Sequence, residues 1–206
     1  MIGGLILERC LSASEVNKVV SLVRKKSGNT HSKLEEVVVA DFADLSSYTQ
    51  HMQGVDAAFF CIGVYTGALS DDMFKVITVD YAVAFAKTLS DQSPQSTLSF
   101  LSGQGADRKE KSRASFAKYK GMAENQISAL DLTFHAFRPG YIYPVTPRNE
   151  PNFAYKAMRV MYPLFRMMGN NVSIKSTELA QAMYQVAMEG AEKEVLENRD
   201  IRALLS

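Results

Sequence analysis

Three stretches of this sequence carry residue types that could do chemistry together. Met1-Ile2-Gly3-Gly4 leads into Leu5-Ile6-Leu7 and Cys10-Leu11, apolar at helical spacing. Glycines where a helix begins let its free amide N–H groups approach a phosphate. Arg24-Lys25-Lys26 closes the β-branched run from Lys18 to Val23. After the second strand of a dinucleotide-binding βαβ unit, an acid bonds the 2'-hydroxyl of NAD, whereas a cation such as Arg24 suits the extra phosphate of NADP. A basic cluster at a strand end is also the ordinary make-up of a solvated turn. Ser102-Gly103-Gln104-Gly105 follows the apolar run Thr97 to Leu101, and loops at the carboxyl ends of parallel strands are where such sheets hold ligands.

Those residues need a scaffold, and the hydrophobic pattern supplies one. Leu34 to Ala40 contains Val37-Val38-Val39 and reads as a buried strand, and Ala57 to Ile62 is apolar throughout, as expected of strands covered on both faces in a parallel sheet. Between them a helix is expected from Leu45 to Gln53, closed by Gly54. Asp72 opens a longer helix with Phe74, Ile77, Tyr81, Ala84 and Leu89 on one face, ended by Ser93-Pro94. Another carries Phe116, Lys120, Met122, Ala123, Ile127 and Leu130, and Leu132 to Phe137 is a further strand before Arg138-Pro139-Gly140. Glu178 to Met188 reads as a last amphipathic helix. The alternation predicts an α/β class, a three-layer, Rossmann-like, doubly wound parallel sheet. Residues 1–206 make a single domain, with 144–176 as a small substrate-side appendage. Within it, the Met-rich stretch Phe153 to Met168 is either an adaptable wall for an apolar substrate or a cap on the core.

Composition narrows the partners. With 206 residues, 47% of them hydrophobic, the chain can bury a sizeable core, and its net charge of +1 gives no basic field for nucleic acid or an anionic membrane. No apolar run is long enough for a transmembrane helix. Cys10 and Cys61 lack C-x-x-C spacing and read as core thiols of a cytoplasmic protein. His31, His51 and His135 stand apart from one another and receive no chemistry, and no metal site is expected.

The order of these pieces resembles the short-chain dehydrogenase/reductase superfamily, in its atypical NmrA-like branch. The resemblance spans nearly the whole chain and rests on Met1-Ile2-Gly3, Arg24, Asp41-Phe42, Gly63 after Cys61-Ile62, Ser102, Lys120 and Arg138-Pro139-Gly140. It implies an NADP site preferring NADPH to NADH. Gly3 would lie at the pyrophosphate, Arg24 at the 2'-phosphate, and Asp41 with Phe42 at the adenine. Gly63 and Lys120 would lie at the nicotinamide-side ribose, and Pro139-Gly140 near the nicotinamide. Ser102 and Lys120 would be the catalytic pair, Ser102 polarising the carbonyl of a small-molecule substrate. The resemblance also implies a homodimer through the helices Phe74 to Leu89 and Ala114 to Leu130.

Two departures stand out. Active members of the superfamily place a tyrosine four residues before the lysine, on the same helix face, and here that position is Phe116, which has no proton to give. Tyr119 points about 100° away around the helix. Tyr65, Tyr141 and Tyr143 are expected near the same mouth. The first strand and the first glycines of the phosphate loop would lie ahead of Met1, so the strands on either side of that central position are expected to lack a shared neighbour. The readings left open are an NADP-dependent oxidoreductase, a non-catalytic NADP(H)-binding regulatory protein, and a chain that binds nothing well.

Overall fold

The structure, a computed structural model, describes residues 1–146, 161–162 and 169–205. Most of the Met-rich stretch Phe153 to Met168, and with it most of 144–176, lies outside the described residues; Tyr162, inside them, stacks on Tyr143 with ring centroids 3.9 Å apart.

Helix α1 (Ile2–Ser12) opens the chain. Strands β1 (Val19–Val23) and β2 (Leu34–Val38) follow, then a 3-10 helix over Ser46–Met52 in place of the expected α-helix. Asp41 and Asp44 explain that difference, because each carboxylate accepts a backbone N–H two residues on, from Ala43 and Ser46, and holds the chain in local turns. Gly54 takes the left-handed conformation that ends this segment, at φ +63°.

After β3 (Ala57–Phe60), one continuous helical rod is assembled from α2 (Asp71–Lys75), a π-helical turn over Val76–Asp80 and α3 (Tyr81–Gln92). Then come β4 (Thr97–Leu101), α4 (Ser115–Ser128), β5 (Thr133–Arg138), β6 (Tyr141–Tyr143), β7 (Ser173–Lys175), α5 (Ser176–Glu189), β8 (Val195–Glu197) and α6 (Asn198–Ala203).

Every strand pair is parallel: β1 with β2, β3-β4-β5-β8 in that order, and β6 with β7. The period of two along each strand sorts side chains into two cores. Ala58, Phe60, Leu98, Phe100, Phe134 and Ala136 face α3 and α4. Phe59, Cys61, Leu101, Phe137 and Leu196 face α1, α5 and α6. Helices thus cover both faces of the sheet, giving the three layers of an α/β fold.

β1-β2 and β3-β4-β5-β8 are separate sheets among the described residues. Val19 N–H and Val23 C=O bond toward β2, so the backbone groups of the alternate residues Val20 and Leu22 point the other way. On β3, Asp56 C=O bonds toward β4, which leaves Ala57 and Phe59 pointing away from β4. Among the described residues no strand pairs with these two edges.

Candidate functional site

Strand carboxyl ends gather most of the predicted residues. The start of α1 lies against the end of β3, where a Cβ on Gly3 would stand 3.4 Å from that of Cys61. Helix α1 has no side-chain cap from its N-cap residue and no acid in its first turn. At the end of β4, the Lys120 ammonium donates to the Leu101 carbonyl at 2.8 Å and stands 4.7 Å from the centroid of the Phe100 ring. Only 7% of Lys120 is exposed. Burial pushes its pKa down to about 8 against the opposing pull of Glu124, and burial raises the nearby Cys61 thiol to about 12. The loop after β4 is tied to the end of β5 by Gln104 N–H, which donates to the Pro139 carbonyl at 3.0 Å. Gly140 N–H donates to Asn198 Oδ1 at 2.9 Å.

Phe116 stands where the helix period puts it. A Cβ added to Gly103 would fall 2.4 Å from the Phe116 ring, so this ring closes over the Ser102-Gly103 turn. The position four residues before Lys120 lies against Gly103, next in sequence to Ser102, and it carries no hydroxyl. Tyr119 turns away: its phenol donates to Asp71 Oδ2 at 2.5 Å, Ser115 donates to the other oxygen at 2.5 Å, and the hydrogen bond to Asp71 raises the phenol pKa.

Ser102 has an acidic partner that sequence reasoning did not find. Its hydroxyl donates to Glu124 Oε1 at 2.5 Å. Glu124 is fully buried and also accepts from Arg138 Nε (3.0 Å), Arg138 Nη2 (2.6 Å) and Arg108 Nε (2.8 Å). Burial opposes its ionisation, but the bonds from Arg138, Ser102 and Arg108 overcome it and hold the carboxyl below its ordinary value. Arg108 continues to Glu194 and Arg138 to Glu197, so one ionic network joins α4, the 107–112 loop, β5 and β8. A signal existed, since Glu124 lies four residues after Lys120 on one helix face. Arg108, 16 residues away in a charged segment, gave none.

The remaining predicted residues are distributed differently. Arg24 is exposed after β1, and Asp41 is exposed after β2. Phe42 is 4% exposed and packs against Tyr81 with ring centroids 5.8 Å apart, so its side chain belongs to the core and offers no open face for an adenine. Gly63 is exposed, with open space where a Cβ would be. Among the described residues, no group of three His, Cys, Asp or Glu could hold a metal, and no helix is long and apolar enough to cross a membrane.

No protein-family model and no curated sequence matches the chain. Solved structures do. The WbmG enzyme of Bordetella bronchiseptica in complex with NAD aligns at a TM-score of 0.69 and 10% identity, over 100% of this chain and 74% of that one. DesIV, a dTDP-glucose 4,6-dehydratase from Streptomyces venezuelae with NAD bound, aligns at 0.71 and 13%, over 99% and 77%. A thiolation-reductase di-domain of an archaeal non-ribosomal peptide synthetase aligns at 0.71 and 13%, over 95% and 67%. The chain has a Rossmann-like α/β fold. In that fold, uncapped helix amides beside a strand end suit a pyrophosphate, and a buried ammonium with N–H groups to spare suits a ribose hydroxyl. The residues around α1 and Lys120 could therefore hold the pyrophosphate and a ribose of a nucleotide. Phe116 does not fit a proton donor.

Proposed function

We propose that this chain is an NADP(H)-binding protein of oxidoreductase type, of the atypical NmrA-like kind, acting on a small alcohol or carbonyl. The observation that carries the reading is the convergence of α1, Cys61, Lys120, Ser102 and Phe116 at the carboxyl ends of β3 and β4. Arg24, exposed at the carboxyl end of β1, would meet the 2'-phosphate and set the preference for NADPH. The cofactor supplies the hydride when bound. The chain's own contribution is to position it, with Lys120 on the ribose and Phe116 excluding water from the Ser102 turn.

A second reading has an observation of its own. Phe116 stands where the tyrosine would be, and the neighbouring Tyr119 is bound to Asp71, which favours binding without turnover and a regulatory role. The edges of β1 and β3, unpaired among the described residues, bear on both readings, because a further strand paired to them would satisfy the backbone groups of Val20, Leu22, Ala57 and Phe59.

Titration with NADPH and NADH by nicotinamide fluorescence tests the proposal, on this chain and on the chain carrying an apolar strand ahead of Met1. The expected result is tighter binding of NADPH, with the preference lost in Arg24→Ala. Binding of neither nucleotide by either protein would overturn it. Oxidation of NADPH by a panel of aldehydes and ketones separates the catalytic reading from the regulatory one.

A further inference from the structure

We infer that Ser102 recognises a hydrogen-bond donor on the bound ligand, the hydroxyl of an alcohol or polyol, and not a carbonyl oxygen. A serine hydroxyl has one proton and two lone pairs, so its neighbours decide which of these faces the ligand. Glu124, 2.5 Å away, decides it here. An ionised carboxylate only accepts, and four donors fill its two oxygens: Ser102 and Arg138 Nε on Oε1, Arg108 Nε and Arg138 Nη2 on Oε2. Two guanidinium groups keep it ionised, and it is shut away from water. The serine proton is therefore committed to Glu124, in a charge-assisted bond that would have to break before Ser102 could donate elsewhere.

What Ser102 has left is lone pairs. A ligand carbonyl brings lone pairs to the same place and is repelled, whereas an alcohol brings a proton. Phe116, which lies over the neighbouring Gly103, adds no donor that could reverse this polarity. The ligand class rests on the proposal that the end of β4 is the substrate side; the direction of the Ser102 bond does not. Ser102 thus orients the alcohol form of a substrate and leaves the carbonyl form without a partner.

The test uses the full chain with 13C-labelled serine and two probes of matched shape, cyclohexanol and cyclohexanone. Each is titrated with and without NADPH, following the Ser102 Cβ resonance. In the protein alone, a slowly exchanging hydroxyl proton close to the Ser102 Cβ protons is expected, absent in Ser102→Ala. Cyclohexanol should bind at least about tenfold tighter than cyclohexanone, the ratio for about 1.4 kcal/mol of discrimination. Ser102→Ala should level the two to within about twofold, and Ser102→Thr, which keeps the hydroxyl, should restore the preference. Equal or tighter binding of cyclohexanone, or a response to neither probe, would overturn the inference. Alcohol preference in a protein that does not bind NADPH would leave it standing while the cofactor proposal falls.

Discussion

Replacing Lys120 with methionine isolates the cost of burying an ammonium at the end of β4. Its pKa in the folded chain is about 8 against an ordinary 10.5, a gap that at 1.36 kcal/mol per pKa unit is a penalty of about 3 kcal/mol. The sign follows from proton counts. Below pH 8 both folded and unfolded chains hold the proton, and the folded chain carries the whole penalty. Between pH 8 and 10.5 the folded chain releases the proton while the unfolded chain keeps it, so stability rises with pH across this window. Above 10.5 both are neutral and the penalty is gone. Methionine fills the same volume without the charge, but leaves the Leu101 carbonyl without its donor, a pH-independent cost of about 1 kcal/mol. Lys120→Met should therefore be more stable than the natural chain by about 2 kcal/mol at pH 7, and the advantage should vanish and reverse by pH 10.5. Cys10 and Cys61, whose thiols are raised by burial, act in the opposite direction at alkaline pH in both proteins, so the difference between proteins is the quantity to follow. Urea unfolding midpoints of the two, taken at half-unit steps of pH, provide it. A difference that stays flat from pH 7 to 10.5 would refute the reasoning.

Arg138→Met removes two of the four donors on Glu124 and should cost about 3 to 5 kcal/mol in urea unfolding; a loss under about 1 kcal/mol would show that Glu124 is not held as a buried anion. In Gly121→Ala, the new Cβ would fall 1.9 Å from the Asp107 carbonyl oxygen, a backbone atom. The 107–112 loop must then move off α4, at a cost on the order of 3 kcal/mol in thermal unfolding, and a variant as stable as the parent would contradict this packing. Phe116→Tyr restores a phenol against Gly103, four residues before Lys120, and is expected to raise NADPH oxidation in the presence of aldehydes above that of the natural chain. No gain, with NADPH still bound, would favour the regulatory reading.

The elements legible in the sequence are those whose burial leaves a pattern. β1, β3, β4 and β5 are largely apolar because helices lie on both faces, whereas β2 carries Glu35 and Glu36 and has no buried residue, and α3, α4 and α5 repeat at three to four residues because one face is buried. β6, β7 and β8, three residues each, are too short to show a period, and their register is set by tertiary pairing with β7, β6 and β5. Phe42 misled for a related reason: an aromatic after a strand fits an adenine shelf and a core position equally well, and packing against Tyr81 decided it. Glu124 was hidden because its partners, Ser102, Arg108 and Arg138, come from three separate segments. Its charge looked like surface until the fold closed around it.

The separation of β1-β2 from β3-β4-β5-β8 also has a consequence for how the molecule behaves in a crowded solution. Edge strands in natural proteins are blunted by charge, proline or a covering loop, since bare ladders recruit other chains. The edges of β1 and β3 that are unpaired among the described residues bear Val20, Leu22, Ala57 and Phe59, with no charge or proline among them. They are templates for extended apolar polypeptide from any source, neighbouring copies included. Solubility of this chain on concentration is thus a direct report on whether those edges are covered.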